Sequence, residues 1–408
     1  MPKYAIHLFM PATVLLLSAI LIALPSTGAA AGSPGAGSPG APIIPAPPQL
    51  AAEGYLLLDA DTGRVLVEHN SKQRLPPASL TKIMTSYVAA EEIERGTLTE
   101  TEEVDVSVKA WRMEGSRMFI QEGTKVSVDQ LLKGIIIQSG NDASVAMAEH
   151  IAGGEDAFAD VMNQHAMRLG MSDTNFMNAT GLPDEDHYTT ASDLAKLTIA
   201  LINRHPEHYK LYSEKSFRYN EINQSNRNKL LWADRSVDGV KTGHTEAAGY
   251  CLVASAVRNN MRLISVVMGT KSEKARATES QKLLSYGFRY FETVRLYDAR
   301  EILNTVRLWN AEVSSVSMGL GEAVVITLPR GSKGSLSAAM DVESVILGPI
   351  SAGQALGQLT VSMGDNVVYE GPLIALADIP EAGFFKRMWH SLSLFALQLF
   401  GGDPLKIP

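Results

Sequence analysis

A serine hydroxyl is a working nucleophile at neutral pH only when a neighbouring group accepts its proton during attack. Ser79-Leu80-Thr81-Lys82 supplies nucleophile and acceptor together. If a helix opens at Ser79, the i to i+3 spacing puts Lys82 on the same face one turn on. A lysine buried among other cationic groups has a lowered pKa and serves as a base. Two further motifs, Ser139-Gly140-Asn141 and Lys241-Thr242-Gly243, follow in fixed order, and each of the three occurs once. The ordered triple describes acyl transfer through a serine.

In this reading Ser79 is the nucleophile, Lys82 the base or proton shuttle, and Ser139 a relay toward the leaving group. Asn141 carries both a donor and an acceptor, enough to hold Lys82 and a substrate amide. Lys241 and Thr242 fall on a strand edge to which an extended peptide adds itself, with Gly243 keeping a side chain out of its path. The Ser79 amide at a helix start and a second amide near His244 suit a developing oxyanion. Simpler roles stay open: a cap for Ser79, pairing with acceptors of the Ser139-Gly140-Asn141 loop for Lys82, loop structure for Asn141.

The blocks around these motifs resemble the serine D-alanyl-D-alanine carboxypeptidases, the low-molecular-mass penicillin-binding proteins. They are Pro77-Ala78-Ser79-Leu80-Thr81-Lys82-Ile83-Met84-Thr85, Gln138-Ser139-Gly140-Asn141-Asp142-Ala143, Val237-Asp238-Gly239-Val240-Lys241-Thr242-Gly243-His244-Thr245 and Tyr286-Gly287-Phe288-Arg289-Tyr290-Phe291-Glu292-Thr293. The resemblance implies removal of the terminal D-alanine from a peptidoglycan pentapeptide through an acyl-enzyme on Ser79, and acylation by β-lactam antibiotics. The substrate carboxylate then needs a receiver, for which Thr242, His244 and Arg276 are the candidates. Arg276 stands where the family has a carboxylate-binding arginine, although Ala275 precedes it where relatives have glycine; its bland alternative is a solvated helix arginine. The Trp111–Met118 segment is shorter than the corresponding loop of relatives. A class A β-lactamase shares the triple, but no glutamate from Glu149 to Glu221 has the asparagine four residues on that its deacylating loop needs. Endopeptidase action would use the same site, and a silent wall-binding scaffold is the rival reading in which no reaction occurs.

The chain has 408 residues, is 45% hydrophobic and carries a net charge of −8. That balance suits large buried cores and argues against a nucleic-acid partner. The nine histidines form no His-Glu-x-x-His or similar cluster, so no metal or other cofactor is called for. The lone Cys251 cannot make an internal disulfide and reads as a buried, inert thiol.

Lys3, the apolar run Leu8–Leu24 and the exit Ala29-Ala30-Ala31 read as a secretory signal over residues 1–31, with a membrane helix as the alternative. A Pro/Gly/Ala-rich solvated linker follows over 32–50. Residues 51–295 predict an α+β catalytic domain of the β-lactamase/transpeptidase type: a hairpin near Tyr55–Val67, helices through the middle, then strands at 237–241, 249–257 and 262–268. Residues 296–380 predict a small all-β sandwich. In the tail, 381–408, Phe384, Met388, Leu392, Phe395 and Leu399 share one helical face, while Lys386, Arg387, His390 and Gln398 lie largely off it. The uncharged run Met388–Phe400 rises only about 20 Å against a bilayer core of about 30 Å. The expectation is an interfacial anchor on the outer face of the inner membrane, in the periplasm; a helix packed on the β-domain is the alternative.

Overall fold

The computed structural model describes residues 44–407, so the expected leader and most of the expected linker lie outside the described residues. One antiparallel sheet organises the first domain, in the order Val65–His69, Gly54–Asp59, Met261–Thr270, Gly249–Arg258, Val237–Thr245. Alternation along Gly54–Asp59 sends Leu56 and Leu58 to one face and Tyr55 and Leu57 to the other. The first face packs on Ile83 and Met84 of helix Lys82–Glu94 and on Leu194 and Leu197 of helix Ala191–Arg204. The second is covered by Leu283, Leu284 and Phe288 of helix Glu273–Tyr290. The sheet is therefore closed by strands from both ends of the domain, as the change of period predicts. Its outer edge is the strand carrying the third motif.

The helical middle has its own core, in which Val104, Met118, Leu131 and Ile135 surround Val145 and Met147. Ser127 caps helix Val128–Lys133 by accepting from the Gln130 amide, and the chain then widens into a π-helical turn at Gly134–Gln138. This turn delivers Ser139 to the head of helix Asn141–Ala152.

Two boundaries differ from the sequence expectation. The described end of the expected solvated linker is packed: Ile44 and Leu50 lie on the second-face core, and the Tyr286 hydroxyl donates to the Pro45 carbonyl at 3.0 Å. The β-domain starts at Phe291 rather than 296, because strand Phe291–Tyr297 pairs with Val324–Pro329. This ribbon and the sheet Asn304–Arg307, Ser315–Gly319, Asn366–Ala375, Ala355–Met363, Leu336–Val342 enclose one apolar core. The joint between domains is polar. The fully buried Asp59 carboxylate accepts the hydroxyls of Thr293 at 2.5 Å and Thr327 at 2.7 Å.

Helix Phe384–Leu399 follows the β-domain. Its narrow face, His390, Leu394 and Leu397, is partly buried, and His390 Nδ1 accepts the Asn310 N–H at 2.8 Å. Beyond the helix the chain returns: Arg307 N–H donates to the Leu405 carbonyl, and the buried Trp309 donates to that of Pro404 at 2.9 Å. Phe384, Phe385, Met388, Trp389, Leu392, Phe395 and Leu399 remain exposed. The helix thus packs by one narrow face and leaves its apolar face exposed. Among the described residues no helix is long and apolar enough to cross a membrane.

Candidate active site

Ser79 sits in a 3₁₀ turn, Ala78–Thr81, that runs into helix Lys82–Glu94. Ala78 holds a left-handed φ of 48°, an uncommon conformation for alanine that the surrounding contacts must enforce. The Asn178–Leu182 loop presses on this turn. A Cβ at Gly181 would lie 1.8 Å from the Ala78 carbonyl oxygen, so only glycine permits the approach.

The loop matters because its Thr180 carbonyl takes one of three directions around Lys82. Lys82 Nζ lies 2.5 Å from Thr180 O, 2.7 Å from Asn141 Oδ1 and 3.2 Å from Ser79 Oγ. A neutral amine has two N–H bonds and one lone pair. With the two shorter contacts taken as donations, the lone pair is left for the Ser79 hydroxyl proton. The lysine is buried, and burial first, then the Arg227 charge, lowers its pKa to about 7. The base form is therefore well populated at neutral pH.

Asn141 is itself oriented. Its Nδ2 donates to Glu114 O at 2.6 Å and its backbone N–H to Ser116 O at 2.7 Å, which turns the side-chain oxygen toward Lys82. Ser139, with a left-handed φ of 65°, accepts from Lys241 Nζ at 2.9 Å. Lys241 is also buried; desolvation, then the charge of Lys82, holds its pKa well below the usual lysine range.

A cleft of about 180 Å³ opens above these lysines. Of the expected residues it brings together Ser79, Ser139, Thr242, Gly243, His244 and Arg276, while Lys82, Asn141 and Lys241 lie buried behind them. Gly243 has a packing job beside the one expected. A Cβ there would lie 3.0 Å from Pro77 O and 3.2 Å from the Ala78 Cβ, so its smallness lets the motif strand close on the nucleophile turn. His244 is exposed and stacks on Tyr250 at 3.9 Å. Arg276 is buried rather than solvated; its guanidinium donates to Gly243 O at 3.0 Å and lies 3.7 Å from the Glu273 carboxylate. Cys251 is buried, and burial pushes its thiol up to about 11, in keeping with an inert role.

The sequence reading missed Arg227 and Ser116, which also line the cleft, and the Thr180 carbonyl. Arg227 Nε donates to Gln138 O at 3.0 Å from a turn in which Asn228 bonds Gly239 O. The Asn226-Arg227-Asn228 triplet was the available signal: turn-forming asparagines flanking a cation.

A half-exposed serine, two buried lysines with lowered pKa values and an open strand edge define a serine acyl-transfer enzyme. Residues 42–272 match the D-alanyl-D-alanine carboxypeptidase family, and 291–381 match the C-terminal domain of penicillin-binding protein 5. The chain belongs to the D-alanyl-D-alanine carboxypeptidase family and is a serine hydrolase of that type. It is 42% identical over 362 residues to the D-alanyl-D-alanine carboxypeptidase DacC of Escherichia coli (strain K12), covering 87% of this chain and 90% of that protein. Penicillin-binding protein 5 of Haemophilus influenzae is similar at 40% identity and a TM-score of 0.78, covering 82% of this chain and 99% of that chain. Penicillin-binding protein D2 of Listeria monocytogenes, solved in an ampicillin-bound form, is 30% identical with a TM-score of 0.56, covering 60% of this chain and all (100%) of that chain.

Proposed function

We propose that Ser79 attacks the carbonyl between the two terminal D-alanines of a peptidoglycan pentapeptide. The Lys82 amine takes the Ser79 proton as the Oγ–C bond forms. The oxyanion is held by the Ser79 amide and an amide near His244. Ser139, bonded to Lys241, gives its proton to the departing D-alanine nitrogen and is reprotonated by the Lys82 ammonium; the neutral Lys82 then takes a proton from the water that attacks the ester and returns it to Ser79 Oγ as the acyl group leaves. The observation that carries this reading is the 3.2 Å approach of Lys82 Nζ to Ser79 Oγ with its other two contacts taken by fixed carbonyls. A β-lactam ring opens on the same serine. Incubating the purified protein with pentapeptide releases one D-alanine per peptide and leaves a tetrapeptide; cleavage confined to cross-linked muropeptides would overturn the assignment.

The two guanidiniums at the cleft, Arg227 and Arg276, supply cationic charge for the substrate's terminal carboxylate, with Thr242 and His244 beside them. Amidating the peptide C-terminus lowers turnover, by roughly tenfold or more for a charged hydrogen bond of about 1.5–3 kcal/mol. Arg276→Ala narrows the difference between acid and amide substrates. Equal loss on both would mean that Arg276 acts only by holding the Gly243 carbonyl.

The exposed apolar face of the C-terminal helix is read as an interfacial anchor, with the protein in the periplasm on the outer face of the inner membrane. The width of that face and the Lys386 charge beside it suit an anionic bilayer surface, while Arg387 is paired with Glu381. Deleting the tail would uncover Trp309, so substitution is the cleaner test. Phe385→Ser, Leu392→Ser and Phe395→Ser together shift the protein from the membrane pellet to the soluble fraction with turnover of soluble peptide intact. Persistence in the pellet would place the anchor elsewhere.

A further inference from the structure

Asp142 follows the second motif and is buried at 1% exposure, yet the mechanism above does not use it. Among the described residues its carboxylate takes backbone N–H groups alone. Oδ1 accepts from Met118 and Ala143, both at 2.9 Å, and Oδ2 from Phe119 at 2.8 Å and Ile120 at 3.3 Å. Gly140 leaves room for it, since a Cβ there would lie 2.8 Å from Oδ1. The clamped residues 118–120 continue the loop whose Glu114 and Ser116 carbonyls orient Asn141. Asn141 in turn holds Lys82.

The charges around Lys82 are unequal in kind. Arg227 and Lys241 face it on the cationic side and Asp142 and Glu155 on the acidic side, while burial pushes His187 down to about 4 and leaves it neutral. Glu155 is neutralised by Lys109 at 3.0 Å. Among the described residues Asp142 has four N–H donors and no ion pair, and its charge acts on Lys82 in the direction that favours the ammonium.

We propose that Asp142 is a positioning residue for the reaction: its carboxylate clamps the loop that orients Asn141, and its charge is the one against which the Lys82 ammonium is balanced. The proposal rests on Lys82 being the base.

The test is the pH profile of Ser79 acylation by benzylpenicillin, measured on the full chain. Wild type shows an acidic limb with a midpoint near 7; absence of any limb there would sink the base assignment itself. Asp142→Asn removes the charge and turns an NH₂ group toward backbone donors. It should slow acylation about tenfold or more and move the limb to lower pH by a readable fraction of a unit, because the ammonium loses its stabiliser. Asp142→Glu keeps the charge but misfits the clamp, so acylation slows while the midpoint stays in place. A limb unmoved in Asp142→Asn, or moved to higher pH, overturns the proposal. If that variant does not fold, an acidward shift in Asp142→Glu overturns it, since loop loosening alone would then move the midpoint.

Discussion

Ser79→Ala eliminates the covalent benzylpenicillin adduct seen by intact-mass spectrometry and lowers D-alanine release by about 10⁴-fold or more, the scale of losing a serine nucleophile outright. The fold survives. The Ser79 hydroxyl is partly exposed and its side-chain partner is Lys82, so the stability to thermal unfolding should change by less than about 1 kcal/mol. An adduct of undiminished yield on Ser79→Ala would mean that another nucleophile carries the chemistry. Ser139 and Ser116 would be the next to test, since both line the cleft.

Lys82→Met keeps the buried volume and deletes the base, and acylation by benzylpenicillin falls by about 10²- to 10⁴-fold. In wild type the rate rises with pH up to about 7 and then levels, because the neutral amine is the reactive form and its pKa is lowered to about 7. Stability carries an independent signature. The unfolded lysine titrates near 10.4. Between about 7 and that value the unfolded chain binds more protons than the native one, so the Lys82 contribution to stability improves as pH rises and is least favourable below 7. The difference in melting temperature between Lys82→Met and wild type therefore shifts toward wild type from about pH 7 to about pH 10. A difference independent of pH would mean that the folded lysine keeps an ordinary pKa.

The side chains of the site were legible because each motif pairs residue types whose chemistry needs the partner. The sheet was legible because the period changes at Val237. What stayed hidden was backbone. The Thr180 carbonyl that completes the Lys82 environment leaves no residue-type signal, and its presence depends on Gly181, one glycine among many. The clamp at Asp142 reads as an ordinary acidic residue in a first helical turn. The boundary at Phe291 escaped because helix Glu273–Tyr290 passes into a strand with no glycine or proline between them. Ile44 and Leu50 were read with the prolines around them, although it is their side chains that pack.

The Asp59 joint bears on how such a protein is assembled from parts. A carboxylate sunk at the end of a catalytic strand needs hydrogen bonds: the Asp61 N–H supplies one to Oδ1 at 3.0 Å from its own domain, and the two hydroxyls on Oδ2 belong to Thr293 and Thr327 of the neighbouring module. The two modules are keyed to each other like matched fittings. Exchange of the β-domain between relatives would have to carry both threonines along, and a catalytic domain cut free before Phe291 would leave that carboxylate without either of them.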